Sequence, residues 1–333
     1  VNGHASLRRG FGLVELMVAL ALGLLVAGGA TVLLIGTKQA NGTSDNLSRM
    51  QESARTSHDL MTREIRQAGG TPCDAQLVTT NVLNNAQGGA PTWWATWGEP
   101  VRGYIGVTAF PAADFGTAVA ERVNGTAALI VRYAAAIDNL AVASHDSVNA
   151  QFTANRSNHG IAAGELLMVC SYRQASILQV TSVNLGTGTF AHLDATGVPG
   201  NCSKGLGIPM SCATPVGTPY EYAAGAQIGR LMAVGWYIGN NGRPQTGGRS
   251  LYRVTRLGAE EVAEGVRDMQ LLFLVSGGTD YVAASAVADW TQVMAMRLDM
   301  VYESPDAGFN TNTTGSRMTR PVGFTVNFRN LQP

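Results

Sequence analysis

Charge is scarce in this chain: only 14% of its 333 residues are charged, and the formal net charge is zero. No long run of lysine or arginine occurs. Direct nucleic-acid binding is therefore not expected, because phosphate contacts need clustered basic side chains. Cysteine is sparse as well. The four present, Cys73, Cys170, Cys202 and Cys212, form no C-x-x-C pair, and the five histidines share no ligand spacing with them. That argues against zinc, and scattered acids such as Asp114, Asp280 and Asp306 lack the spacing of a calcium loop, so no metal is expected. Missing too are G-x-S-x-G, H-E-x-x-H, a P-loop and a dinucleotide-binding G-x-G-x-x-G after a strand. Neither catalysis nor a cofactor is expected. Proline is absent from Val1 to Thr71, so nothing there forces a helix to break.

What is present begins with an apolar run. Residues 11–36 suit a lipid environment and are broken by one ionisable side chain, Glu15. At helical rise these 26 residues extend about 39 Å, enough to span a bilayer with tilt. Arg8 and Arg9 precede the run and Lys38 is the next charge beyond Glu15, which predicts a short cytoplasmic N-terminus and an exported remainder. A conventional secretory signal would use residues 16–26 as its apolar core and be cleaved near Gly28, Gly29 and Ala30. The apolar run continues past that point to Ile35, and a charge inside such a core is out of place. A buried carboxylate costs roughly 2.5–3.5 kcal/mol near the middle of a membrane helix and less near an end. Glu15 therefore asks for a partner; the bland alternative is that it snorkels to the headgroups.

The helix is predicted to continue to about Ala68. Leu47, Met50, Ala54, Met61, Ile65 and Ala68 recur at spacings of three, four or seven, making one stripe to bury. Asp45 with Arg49 and Asp59 with Arg63 are spaced for i,i+4 ion pairs. Gly69, Gly70 and Pro72 supply a stop. Two glycines and Asn41 within residues 36–42 mark the place where the helix is expected to bend or fray.

The sequence Gly10-Phe11-Gly12-Leu13-Val14-Glu15 followed by an apolar helix resembles the class III signal of type IV pilins and type II secretion pseudopilins. The resemblance implies a membrane aspartyl prepilin peptidase that cuts after Gly10 and methylates Phe11, and it makes Glu15 the family's assembly glutamate. Cleavage would free an α-amine at membrane depth, and an ammonium on a neighbouring subunit would pair with Glu15 only when the two helices are in register. Gly12 and Val14 replace the usual Thr and Ile, and Val32 stands where many members have a proline. Residues 250–254 (SLYRV), 262–273 (VAEGVRDMQLLF) and 324–330 (FTVNFRN) resemble the C-terminal half of PilW-type minor pilins. The implied fold class is α+β, a long N-terminal transmembrane and amphipathic helix packed on an antiparallel β-sheet head. The implied organisation is a leader over residues 1–10, the pilin helix over 11–70 with 11–36 in the membrane, and a β-rich head over 71–333. The implied partners are other minor pilins, the major pilin, the prepilin peptidase and a tip adhesin. The head would lie in the periplasm, anchored in the bacterial inner membrane until assembly into a surface pilus. A J-type pseudopilin of a type II secretion system shares the signal and is the rival reading.

Within the head, residues 71–125 read as loop. They hold Trp93, Trp94 and Trp97, either a stacking platform that would make the protein a glycan-binding tip adhesin or a cover over the core. Strand patterns follow at residues 126–133, 165–170, 176–183, 231–238 and 250–255. In residues 293–302, Met294, Met296, Leu298, Met300 and Tyr302 share one face; Phe324, Val326 and Phe328 alternate in the same way. An even cysteine count beyond a membrane segment predicts two disulfides in an oxidising compartment. Three pairings are open; a short loop closure favours Cys202–Cys212, leaving Cys73–Cys170, and four reduced thiols are the alternative.

Overall fold

The computed structural model describes residues 12–73, 77–84, 92–308 and 316–331. A single helix, α1 (Leu13–Ile65), opens the chain after an extended Gly12. It ends three residues before the expected Ala68: residues 66–69 form a turn. There Gly69 adopts φ +70 and its amide donates to the Arg132 carbonyl at 2.9 Å. A side chain at Gly69 would also meet Leu331, so this sharp exit from the helix needs glycine. Residues 36–42 stay helical, contrary to the expected weak point. Once a helix is nucleated on both sides, each further residue adds a hydrogen bond at little extra entropy, and that outweighs two glycines.

Seventeen strands follow among the described residues. They are β1 (Thr79–Asn81), β2 (Val101–Tyr104), β3 (Ala128–Asp146), β4 (Gln151–Ala154), β5 (Leu166–Cys170) and β6 (Ala175–Gln179). Next come β7 (Ser182–Asn184), β8 (Thr189–Ala191), β9 (Ala195–Thr196), β10 (Gly200–Asn201) and β11 (Gln227–Asn240). The last are β12 (Arg249–Thr255), β13 (Gly258–Glu264), β14 (Val266–Val275), β15 (Val282–Ala283), β16 (Val293–Ala307) and β17 (Arg317–Asn327). The large sheet has the order β1-β6-β5-β11-β3-β4-β8-β7, with β2 added to β3 and the hairpin β12–β13 added to β11. A second sheet has the order β15-β14-β16-β17, and β9–β10 form a small ribbon. All pairs are antiparallel except β1–β6. The result is the α+β arrangement, one long apolar helix and a mostly antiparallel head.

Alternation along the long central strands divides the interior. Leu129, Val131 and Tyr133 of β3, with Val234, Trp236 and Ile238 of β11, join Met50, Met61, Ile65 and Ala68 from the helix side and Met296, Leu298, Met300 and Phe328 from the second sheet. Ala128, Ile130 and Tyr237 point to the opposite face, where they meet Trp93, Trp94, Phe110 and Tyr252. The outer half of β3 leaves both cores and builds a third, with Phe152, Leu178, Phe190, Tyr222 and Ile228.

Two buried arginines organise the stretch that reads as loop. The Arg122 guanidinium donates to the carbonyls of Thr108 at 2.8 Å, Ile105 at 3.0 Å and Thr126, and lies 4.6 Å from the Phe115 ring. Arg132 donates to the carbonyls of Glu99 at 2.7 Å and Trp93 at 3.0 Å. Burial pushes both guanidinium groups down to about 10, so both stay charged at neutral pH and are solvated by backbone carbonyl dipoles in place of water. Few regular hydrogen bonds are needed where two side chains collect five carbonyls.

Candidate assembly site

The apolar N-terminal half of α1 is bare. Every residue from Gly12 to Asn41 is exposed, including the apolar Leu13, Val14, Leu24, Leu25 and Leu33. An apolar surface of this size on one helix is stable only in lipid or against other helices. Glu15 sits in the first helical turn, where its amide donates to the Gly12 carbonyl at 3.0 Å. Its carboxylate is exposed and meets no cation among the described residues; the positive end of the helix dipole is the nearest favourable field. The expected cleavage pair, Gly10 and Phe11, lies outside the described residues.

The first buried residue of α1 is Asn46. About 15 Å of mostly polar helix, half-buried only at Gly42 and Thr43, therefore lies between the apolar run and Asn46. From Asn46 onward the helix is seated by a graded set of contacts. The Asp306 amide donates to the Asn46 side chain at 3.3 Å. Met50, Met61 and Ile65 are buried, while Leu47, expected on the same stripe, stays outside. His58 meets the Phe324 ring edge-on at 4.7 Å. Asp59 turns to His58 at 3.1 Å and Arg55 at 3.9 Å rather than to the expected Arg63. These pairs are exposed and contribute little.

Glu64 is the one charged residue of α1 that is not exposed. Its carboxylate accepts from Trp236 Nε1 at 2.9 Å and from Arg253 at 2.8 and 2.7 Å. The Glu64 side chain is 12% exposed and that of Arg253 22%, whereas Trp236 is fully buried. Trp236 lies on β11 and Arg253 on β12, directly opposite each other in the ladder. One carboxylate thus fixes the helix to two neighbouring strands at once. The sequence holds a signal for it: Glu64 falls three residues after Met61 and four before Ala68, so it interrupts the buried stripe much as Glu15 interrupts the apolar run.

Beyond the turn, the Ala134 amide donates to the Gly70 carbonyl at 2.8 Å, and the Asn330 side chain donates to the Ala68 carbonyl at 3.2 Å. Cys73 is bonded to Cys170 at the end of β5, with a Cα–Cα distance of 6.2 Å, and Cys202 is bonded to Cys212, ten residues on. Trp93 and Trp94 are buried in the second core, and Trp94 is further covered by the Arg256 guanidinium at 5.8 Å. Trp97 is partly buried beside them. The three indoles therefore roof the core, and Trp93 and Trp94 also line a surface pocket with Asp114, Glu121 and Arg256. Among the described residues no group of three His, Cys, Asp or Glu side chains is gathered in metal-binding geometry.

Residues 6–31 match the prokaryotic N-terminal methylation motif. The match runs from before the expected cleavage point into the last third of the apolar run, and its described residues, 12–31, lie where the head leaves the chain bare. It supports a type IV pilin-like or pseudopilin subunit, one processed by a prepilin peptidase, anchored in a membrane and assembled with other pilins. No curated protein matches the chain.

Proposed function

We propose that this pilin-like chain is a PilW-like minor pilin of a type IV pilus. It would be a structural subunit that joins other minor pilins, helps to prime polymerisation of the major pilin and stays at the filament tip. The observation that carries the reading is the division of labour along the chain. A bare apolar helix with a single unpaired carboxylate, Glu15, suits lateral packing against other helices, while two of the three hydrophobic cores contain no residue of α1. So much structure built away from the stem is bulky for a repeating position, where helices pack at about 8–10 Å. It suits a place where one face of the head has no neighbour. Before assembly the head would face the periplasm, with α1 in the inner membrane. Quantitative mass spectrometry of sheared pili should find a few copies per filament, and deletion should lower pilus number more than pilus length. Stoichiometry near that of the major pilin would overturn the proposal.

A further inference from the structure

The third core contains two histidines that the assembly reading does not use. His145 is the penultimate residue of β3 and is 5% exposed; His192 follows β8 and is fully buried. Their Nε2 atoms lie 3.0 Å apart. His145 stacks on Phe152 at 3.9 Å, and Phe152 in turn on Phe190 at 5.3 Å.

The proton positions follow from the partners. The Tyr222 amide donates to His145 Nδ1 at 3.2 Å, so that nitrogen is bare. The His145 proton is then on Nε2 and is donated to a bare His192 Nε2, which places the His192 proton on Nδ1. That buried Nδ1 has no partner. The pair is thus full with two protons. A third has to go to His145 Nδ1 or His192 Nε2, and either choice destroys a hydrogen bond and buries a charge.

We infer that His145 and His192 form an acid-sensitive latch that holds the outer half of β3, β4, β8 and the segment around Tyr222 together as one lobe. Asp146, next on β3 and exposed, favours a proton on His145 only weakly. Lys204, whose Nζ donates to the Val148 carbonyl, opposes one on His192. The remaining titratable neighbours are the phenols of Tyr220 and Tyr222, and among the described residues no carboxylate forms an ion pair with either ring. Burial, which dominates, pushes His145 down to about 4 and His192 down to about 3, the latter aided by its neighbour imidazole. In an opened lobe both return to about 6.5. The closed lobe therefore holds fewer protons than the open one. Its stability is unaffected above about pH 6.5 and declines as pH falls below that value. At pH 5 opening is favoured by about 30-fold for each histidine.

The test is hydrogen exchange by mass spectrometry on the full chain in detergent at pH 7 and pH 5, corrected for intrinsic exchange. Peptides covering residues 140–154, 189–193 and 220–226 should lose at least 30-fold in protection while residues 293–300 of the first core change little. His192→Gln keeps an acceptor for His145 but removes one titrating group, so its pH step should shrink by about 30-fold. If that variant is already unprotected at pH 7, the wild-type comparison alone decides. Equal loss in both cores, or no lobe-specific loss by pH 5, would overturn the latch.

Discussion

Replacing Glu64 by alanine should loosen the seat of α1 by about 3 kcal/mol, and each part of that figure has a named source. Trp236 Nε1–H is left without an acceptor in a fully buried position, which costs about 1–3 kcal/mol. Arg253 keeps Glu260 at 2.8 Å, but that carboxylate is 62% exposed and is a weaker partner. Breaking a wholly buried ion pair costs about 3–5 kcal/mol; Arg253 is 22% exposed and keeps Glu260, which lowers its share to about 1–2 kcal/mol, and with about 1–2 kcal/mol for Trp236 the total is about 3 kcal/mol. The gain in helix propensity from alanine is only a few tenths of a kcal/mol and does not offset it. Three kcal/mol is a factor of roughly 150 in an opening equilibrium. Hydrogen exchange in α1 residues 57–65 and in β12, measured on the full chain in detergent, reads this directly. Glu64→Gln keeps an acceptor for Trp236 and loses only the charge, so it should cost about half as much. Pairing Glu64→Ala with Arg253→Ala should cost less than the sum of the two, with a coupling of about 1–2 kcal/mol. A Glu64→Ala effect below about 0.5 kcal/mol, or equal effects for alanine and glutamine, would refute the reasoning.

Two further outcomes are expected. N-terminal mass spectrometry of the assembled protein should find a mature chain starting at methylated Phe11, and Glu15→Ala should leave that processing and membrane insertion intact while reducing incorporation into filaments; normal incorporation would exclude the charge-pair account. Replacing Cys202 and Cys212 by serine should be the milder of the two disulfide lesions, since a separation of 10 is worth about 2.7 kcal/mol against about 4.7 kcal/mol for the separation of 97 from Cys73 to Cys170. Denaturant titration of the oxidised protein and the two serine variants measures the order, and a reversed order would show that the loop-entropy argument fails here.

What could be read from the residues was mostly periodic. The apolar run, the stripe from Met50 to Ala68 and the alternation over residues 293–302 each extend over ten or more residues, the alternation at Phe324, Val326 and Phe328 over five, and each corresponds to a part of the structure. Strand ends were less legible. The pattern at residues 126–133 stops where β3 continues to Asp146, because the outer half of β3 mixes alanines, Asp138 and Asn139 on faces that are only partly covered. Residues 176–183 read as one strand but divide into β6 and β7. In residues 71–125 the short strands β1 and β2 went unseen. What shapes that stretch is a pair of side chains, Arg122 and Arg132, reaching backbone carbonyls up to 39 residues away. Nothing local in the sequence records such bonds. The stripe marks Glu64 but not its partners, which are 172 and 189 residues distant, and nothing local marks His145 for His192, 47 residues away.

The bond between Cys73 and Cys170 also decides where tension would run in a filament. A pull along α1 is met first by the seat that begins at Asn46, and what passes Gly70 and Thr71 crosses at Cys73 into the end of β5. That strand is gripped on one side by β6 and on the other by β11. The 97-residue separation of the two cysteines, about 330 Å of contour if drawn straight, is bypassed by the covalent link. With the disulfide intact, β1 to β4 are off the load path, and force reaches β5 between two strands that must shear together before the head can lengthen.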